Sequence, residues 1–163
     1  MIVVSDTTAL SNLAIVQQLA LLKQLYREVC IPQAVADELN QVSSENIAVR
    51  AVVDLPWIQV CSVRNFAQVE TLRNDRQLDP GESEAIVLAL ELNADRLLID
   101  ERLGRREAIR LGLPITGVLG ILIAAKQEGL LSAVKPVLDD LILEAGFWIN
   151  EQLYVEILES AKE

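Results

Sequence analysis

The chain has 163 residues, a formal net charge of −10 and no histidine, and its residues are 52% hydrophobic but only 4% aromatic. A chain of this length is ordinarily one domain, and so few aromatic residues predict an aliphatic core covered by helices. The missing histidine excludes Ser-His and Cys-His catalytic pairs and histidine-ligated zinc, so any chemistry falls to the 24 Asp and Glu residues.

The first residues predict a buried strand that ends in an acid. Residues 2–4 are an unbroken β-branched run, which is typical of a strand buried on both faces of a parallel sheet. The small polar residues 5–8 follow, and they can cap a helix. Asp6 therefore stands at the carboxyl end of a strand, where open α/β sheets bind their ligands. It is either a helix cap or the first of several acids that meet there.

The next segment alternates helix, strand and helix. Leucines and a valine recur at three-residue spacing over residues 10–25 and predict helical structure, and residues 28–31 predict a strand. Pro32 is predicted in the first turn of the following helix. On that helix Glu38 lies at the edge of the apolar stripe and points inward, whereas Asp37 points to solvent.

The middle of the chain leads to a strongly marked helix start. Residues 44–54 predict a helix, residues 57–63 an edge strand, and residues 66–78 a loop with a helical turn. Asp79 is then expected as an N-cap, with Pro80 after it and Glu82 positioned for a capping box.

Glu82 has a second interpretation, because it also heads the apolar stripe of its helix. A carboxylate in that stripe needs a partner or a metal ion, since an unpaired buried charge is costly. Glu84 and Glu91 are expected on the opposite, polar face of the helix.

Residues 96–100 repeat the pattern of the N-terminus, a short aliphatic strand ending in Asp100. If the two strands are neighbours, Asp6 and Asp100 lie side by side. Glu101 should point to the other side and is a secondary candidate.

Four arginines follow at helical spacing, Arg102, Arg105, Arg106 and Arg110. They occupy one helix face, which is either a solvated surface or a local positive track.

The last third is predicted as one strand and three helices. Residues 113–116 form the strand, and its Thr116 can add a hydroxyl to the same edge of the sheet. Helices are expected over residues 117–125, from a Ser132 cap to Glu144, and from Asn150 onward. The extension over residues 132–163, with Phe147 and Trp148, either covers the core or forms a dimer contact.

Several classes are disfavoured by what the chain lacks. No apolar run reaches the roughly 18 residues of a membrane span, and no basic segment of a signal peptide opens the chain, so we expect a cytoplasmic protein without a membrane partner. Cys30 and Cys61 are expected as small core residues. The net acidity disfavours non-specific nucleic-acid binding, but it leaves room for a local basic track or bridging metal ions.

Four short motifs together resemble the PIN-domain family of metal-dependent ribonucleases, which includes VapC-type toxins. The motifs are hydrophobic-Asp-Thr-Thr-x-Leu at Asp6, Val-x-x-Glu-Leu at Glu38, Gly-Glu-x-Glu-Ala-Ile-x-Leu-Ala at Glu82, and Leu-Leu-Ile-Asp-Glu at Asp100. Their order and spacing match over nearly the whole chain. Residues 78–82, the arginine-rich helix and the tail at Phe147 resemble a poorly characterised prokaryotic subfamily. Many PIN domains have Asp where Glu82 stands, and the longer side chain can shift a metal ion.

The resemblance implies an α/β, three-layer PIN-like fold with a central, mostly parallel sheet of about five strands flanked by helices, in a single domain over residues 1–163. It implies an endoribonuclease that hydrolyses RNA phosphodiester bonds with Mg²⁺ or Mn²⁺, and is the toxin of a toxin–antitoxin pair. A homodimer and an antitoxin partner follow from the same resemblance.

The resemblance also implies a role for each candidate residue. The implied catalytic residues are Asp6, Glu38, Glu82 and Asp100, and the implied metal ligands are Asp6, Glu82 and Asp100. Secondary candidates are Thr7, Glu101 and Thr116. The RNA backbone is expected along Arg102, Arg105, Arg106 and Arg110.

Two other classes of function remain. A phosphate-transferring fold, either a haloacid-dehalogenase-like phosphatase or a response-regulator receiver, also places an Asp after its first strand. The phosphatase pattern needs a second acid where Thr8 stands, and the receiver pattern needs an acid pair and a lysine that the chain lacks. The stronger alternative is a catalytically weak PIN fold that binds nucleic acid or assembles with other proteins.

Overall fold

A five-stranded parallel sheet forms the centre of the computed structural model, which describes residues 1–42 and 46–163. The strands are β1 (Val3–Ser5), β2 (Val29–Pro32), β3 (Ile58–Cys61), β4 (Arg96–Leu98) and β5 (Ile115–Thr116). Their order across the sheet is β3-β2-β1-β4-β5, and every neighbouring pair is parallel. The prediction of a mostly parallel sheet of about five strands is confirmed, and β3 is an edge strand as expected.

Ten α-helices connect and cover these strands within the described residues. They are α1 (Thr7–Ile15), α2 (Ala20–Tyr26), α3 (Gln33–Val42), α4 (Ile47–Arg50), α5 (Phe66–Asp75), α6 (Pro80–Leu92), α7 (Arg102–Arg110), α8 (Val118–Gln127), α9 (Lys135–Glu144) and α10 (Glu151–Ser160). A 3-10 helix, Ala51–Asp54, follows α4.

The helices lie in two layers because successive residues of a strand face opposite sides of the sheet. Val3 packs in one apolar core with residues of α1, α3, α8 and α9. Val4, the next residue, packs in a second core with residues of α5, α6 and α7. A sheet covered on both faces needs apolar residues at every position, which explains the unbroken aliphatic strands and confirms the three-layer α/β fold.

Two predicted segments differ from the structure. Residues 10–25 are divided between α1 and α2, because the chain turns at Gln17 with a positive φ of 59°. Residues 66–78, predicted as a loop with a helical turn, mostly form α5; that prediction is wrong. The Asn65 side chain caps α5 by accepting from the amide of Gln68 at 3.1 Å. Val69 and Leu72 of α5 are buried, and the helix packs against α6.

Two predicted helix starts also shift, and a third cannot be compared with the structure. Pro32 is the last residue of β2, and the helix begins one residue later. The predicted start at Ser44 lies outside the described residues. Ser132 is not the cap of α9, which begins at Lys135. The Glu163 carboxylate instead accepts from the amides of Val134 at 2.6 Å and Lys135 at 3.1 Å, so the cap comes from the end of the chain.

The segment after residue 131 packs on the core. Leu138 and Leu141 of α9 and Ile157 of α10 are buried in the first apolar core. The helices pack against α1 and α8, respectively. Across residues 1–42 and 46–163, every helix is too short or too polar to cross a membrane.

Candidate active site

The site lies where β1 and β4 end side by side. Ser5 pairs with Leu98 in the parallel ladder, and the amide of Asp6 donates to the carbonyl of Leu98 at 2.9 Å. Both Asp6 and Asp100 therefore leave the sheet at the same edge. Along the chain, β1 is followed by β2 and β3 on one side of it, whereas β4 and β5 lie on its other side. Ligands of open α/β sheets bind where the strand order reverses in this way.

The Asp6 carboxylate is buried and also caps a helix. It caps α1, and its Oδ1 accepts from the amide of Ala9 at 3.1 Å. Its Oδ2 is buried and has no hydrogen-bond partner among residues 1–42 and 46–163. Burial raises the pKa of Asp6 well above its ordinary value, and the negative charges of Asp100 and Glu82 raise it further. Because a buried carboxylate oxygen without a donor is costly, this atom is suited to receive a cation.

Asp100 faces the first turn of α8. The amide of Val118 donates to both of its carboxylate oxygens, at 3.1 and 3.2 Å. Burial nevertheless raises the pKa of Asp100 to about 6, although that amide and the nearby Arg105 oppose the rise. A Cβ at Gly117 would lie 2.4 Å from Oδ1 of Asp100, so glycine is required for this close approach.

Glu82 fulfils both of its sequence interpretations. Its amide donates to Oδ1 of Asp79 at 2.7 Å, and its Oε2 accepts from the amide of Asp79 at 3.2 Å, which completes the capping box. Only 7% of the residue is exposed. Burial, followed by the negative charge of Asp79, raises the pKa of Glu82 to about 7. The same carboxylate is thus a helix cap and a buried acid.

Glu38 joins three helices at the rim of the site. Its carboxylate accepts a short hydrogen bond from the Thr7 hydroxyl of α1 and another from the amide of Gly81 at 2.9 Å. Burial raises the pKa of Glu38. Asp37 is exposed and accepts from the Gln33 side chain, so the inward and outward directions of the two acids agree with the sequence pattern.

The negative charges of the four predicted acids act on one another. The charges of Asp100 and Glu82 raise the pKa of Asp6, and the charge of Glu38 raises the pKa of Glu82. Sequence reasoning assigned Asp79 only to a helix cap, but its charge also raises the pKa of Asp6, Glu38 and Glu82. The capping-box spacing could have indicated this second role of Asp79, because it places an acid three residues before Glu82.

The donor set fits a hard divalent cation in its chemistry. All of the donors are carboxylate oxygens, the ligands that Mg²⁺ and Mn²⁺ prefer, and the unpartnered Oδ2 of Asp6 is one of them. In the described part of the chain, however, no three acidic side chains are arranged to hold a metal ion together. Glu38, Glu82 and Asp100 instead accept hydrogen bonds from backbone amides.

The secondary candidates lie around these acids. Thr7 is bonded to Glu38. Glu101 is exposed at the cap position of α7, and its charge contributes to the raised pKa of Glu82 and of Asp100. Thr116 ends β5 and lines a groove that also contains Asp100.

The four arginines of α7 do not share one environment. Arg102 and Arg105 line the groove beside Asp100, and the Arg105 guanidinium donates to the carbonyl of Ile99 at 2.9 Å. Arg106 is exposed. Arg110 donates to the buried Glu107 from the same helix. Contact between any of these arginines and RNA stays a prediction.

Glu84 and Glu91 were predicted on the polar face of α6. Both carboxylates also accept hydrogen bonds from other segments of the chain. Glu84 accepts from the amide of Ala34 at 3.3 Å and thus caps α3. Glu91 accepts from the amides of Arg64 and Asn65, at 2.9 and 2.7 Å, just before α5. Glu84 therefore satisfies an amide in the first turn of α3, and Glu91 satisfies two amides of the segment that precedes α5.

Comparison with known families gives one informative result. A family model described as PIN domain matches residues 2–163, which is nearly the whole chain. No curated protein matches the chain.

Proposed function

The chain belongs to the PIN-domain family, and from this premise we propose that it is a metal-dependent endoribonuclease. Membership of the family supports a nuclease-type function in general. The more specific proposal is carried by one observation, the buried and unpartnered Oδ2 of Asp6 beside two further acids with raised pKa values. Burial of an acid is costly unless a partner compensates for it, and a cation is such a partner.

We propose that Asp6, Glu82 and Asp100 would hold Mg²⁺ or Mn²⁺ once their carboxylates reorient, because no three acids of the described residues form a metal site in their present positions. When bound, such an ion orients and acidifies a water molecule and stabilises negative charge on the scissile phosphate. Asp6 would contribute its unpartnered Oδ2. Glu82 and Asp100 would turn from the amides of Asp79 and Val118, which their carboxylates now contact.

Other residues of the chain would position the substrate. The Arg105 guanidinium is oriented by the Ile99 carbonyl and attracts Asp100, so its positive charge stands beside the acids. Phosphate groups bind readily to such a planar, fixed donor. Glu38 bonds to both Thr7 and the amide of Gly81, and in this proposal it orients the Thr7 hydroxyl and the first turn of α6.

The biological setting is part of the proposal. We propose that the chain is the toxin of a toxin–antitoxin pair, forms a homodimer and acts on RNA in the cytoplasm. An antitoxin protein would then cover the acids. A small DNA-binding gene beside the gene for this chain would support this setting.

The second candidate function is a catalytically weak PIN-fold module that binds nucleic acid or protein. Two observations favour it: the net charge of −10 and the engagement of Glu38, Glu82 and Asp100 by backbone amides. The two candidates differ in turnover, because only the nuclease cleaves RNA when metal is added.

The deciding experiment is a cleavage assay with a fluorogenic RNA and Mn²⁺ or Mg²⁺. We expect cleavage by the parent protein, loss of cleavage in Asp6→Asn and Asp100→Asn, and parental activity in Asp37→Asn, whose carboxylate is exposed. Cleavage that survives in both site variants, or that is insensitive to EDTA, would contradict the proposed metal site.

A further inference from the structure

The strongest feature outside the acids is a groove that leads away from Asp100. It has a volume of about 580 Å³, and its walls include Asp100, Arg102, Arg105, Thr116, Phe147 and Trp148. The groove therefore shares Asp100 with the candidate active site. Phe147 and Trp148 belong to the connection between α9 and α10, and the proposed catalytic mechanism assigns them no role.

Trp148 is exposed to an unusual degree for its residue type. Its exposed fraction is 83%, whereas the other tryptophan, Trp57, is 8% exposed and lies in the core. Burying an aromatic side chain stabilises a fold, and the exposed Trp148 contributes little stabilisation of this kind. Large apolar surface left in water at the wall of a groove is typical of a binding site.

The backbone holds Trp148 in its position. On one side, the amide of Phe147 donates to the carbonyl of Leu141 at 2.9 Å, and the Phe147 ring packs against the first core. On the other side, Asn150 caps α10 by accepting from Leu153 at 2.7 Å. The indole is therefore presented by a braced segment, which limits the entropy lost when a ligand binds.

The groove combines the two features that single-stranded RNA requires. Arg102 and Arg105 supply positive charge for phosphates at the end near Asp100. Trp148 supplies a flat aromatic face, and an unpaired base of any identity can stack on such a face. The small Gly117 and Gly120 line the same groove. A Cβ at Gly120 would meet only Thr116, at an ordinary 3.5 Å.

We infer that Trp148 is a stacking platform for an unpaired base of the RNA, on one side of the phosphate that lies at the acids. This inference rests on the proposed function, because it takes RNA as the ligand of the groove. It adds the position of a base contact, and stacking on the indole requires an unpaired base, since bases inside a duplex cannot expose their faces. An apolar contact with a second copy of the chain is the competing occupant. We favour RNA because the two arginines at the groove suit the closely spaced phosphates of a polyanion. A second copy of the chain, with a net charge of −10, is a less suitable occupant.

The test measures binding without cleavage, with the full chain in EDTA. The probes are a short oligoadenylate and an abasic oligomer of equal length and charge. We expect oligoadenylate to quench the fluorescence of Trp148 and the abasic oligomer to leave it unchanged, with buried Trp57 as a constant background. Stacking contributes roughly 1–3 kcal/mol per base, so Trp148→Ala should weaken oligoadenylate binding by about 5- to 160-fold.

Two variants control for other effects of the substitution. Trp148→Phe keeps an aromatic face and should retain most of the affinity. Leu143→Ala removes another apolar side chain, 81% exposed on α9, and should bind like the parent. Thermal melting checks that each variant is folded.

Three results would overturn the inference. They are unchanged binding by Trp148→Ala, equal binding of the abasic oligomer, and a change from dimer to monomer in Trp148→Ala with RNA affinity retained. The last result would assign the indole to self-association. A parent protein that binds and is quenched, but cleaves no RNA with Mn²⁺, would refute the nuclease proposal and leave the stacking platform standing.

Discussion

Replacing Asp100 with Asn should stabilise the metal-free protein, and only above a certain pH. Burial raises the pKa of Asp100 from an ordinary 3.8 to about 6. Because the folded state binds this proton more tightly than the unfolded state, the contribution of Asp100 to the free energy of unfolding falls as the pH rises from about 4 to 6 and is level above that. The rise of this pKa from 3.8 to about 6 corresponds to roughly 3 kcal/mol of destabilisation in the ionised form.

The net gain is smaller because the substitution also removes an acceptor. Asn keeps one oxygen for the amide of Val118, which now donates to both oxygens of Asp100. A weakened hydrogen bond costs about 1 kcal/mol. We therefore expect Asp100→Asn to be more stable than the parent by about 2 kcal/mol at pH 8, and no more stable than the parent near pH 4.

The assay is urea denaturation in EDTA at fixed ionic strength, from pH 4 to 8, for the parent, Asp100→Asn and Asp37→Asn. Asp37→Asn is the control, because it removes a carboxylate that is exposed on the surface. If the stability difference between Asp100→Asn and the parent is the same at every pH, Asp100 does not titrate as its burial requires. A less stable Asp100→Asn at pH 8 would show that its amide contact outweighs the cost of burying its charge.

Millimolar Mg²⁺ or Mn²⁺ should raise the melting temperature of the parent, because a ligand of the folded state stabilises it. Asp6→Asn should melt at or above the parent in EDTA and gain much less from metal; an equal gain would contradict the assigned ligands. Replacing both Arg102 and Arg105 with Gln should weaken RNA binding and reduce the magnitude of its logarithmic salt slope by roughly 1–2, whereas an unchanged slope would place RNA elsewhere. Gly117→Ala should lower cleavage, because its Cβ would come within 2.4 Å of Asp100; parental activity would show that Asp100 can move freely.

The features that the sequence predicted well are governed by local chemistry. The aliphatic runs before Asp6 and Asp100 predicted buried parallel strands, because only apolar residues suit a sheet covered on both faces. The capping box at Asp79 and Glu82 was predicted from spacing alone, because a cap involves residues three positions apart. The inward direction of Glu38 followed from helical periodicity, which needs no information from elsewhere in the chain.

Tertiary structure decided what depends on contacts between distant residues. No local pattern shows that Glu84 caps α3, that Glu91 meets the amides before α5, or that Glu163 caps α9. Residues 66–78 were mispredicted for this reason, since their helix is stabilised by packing rather than by its polar composition. The unpartnered oxygen of Asp6 and the groove from Asp100 to Trp148 likewise exist only after folding. Burial and the approach of separate elements determine both features, and neither is encoded in the order of neighbouring residues.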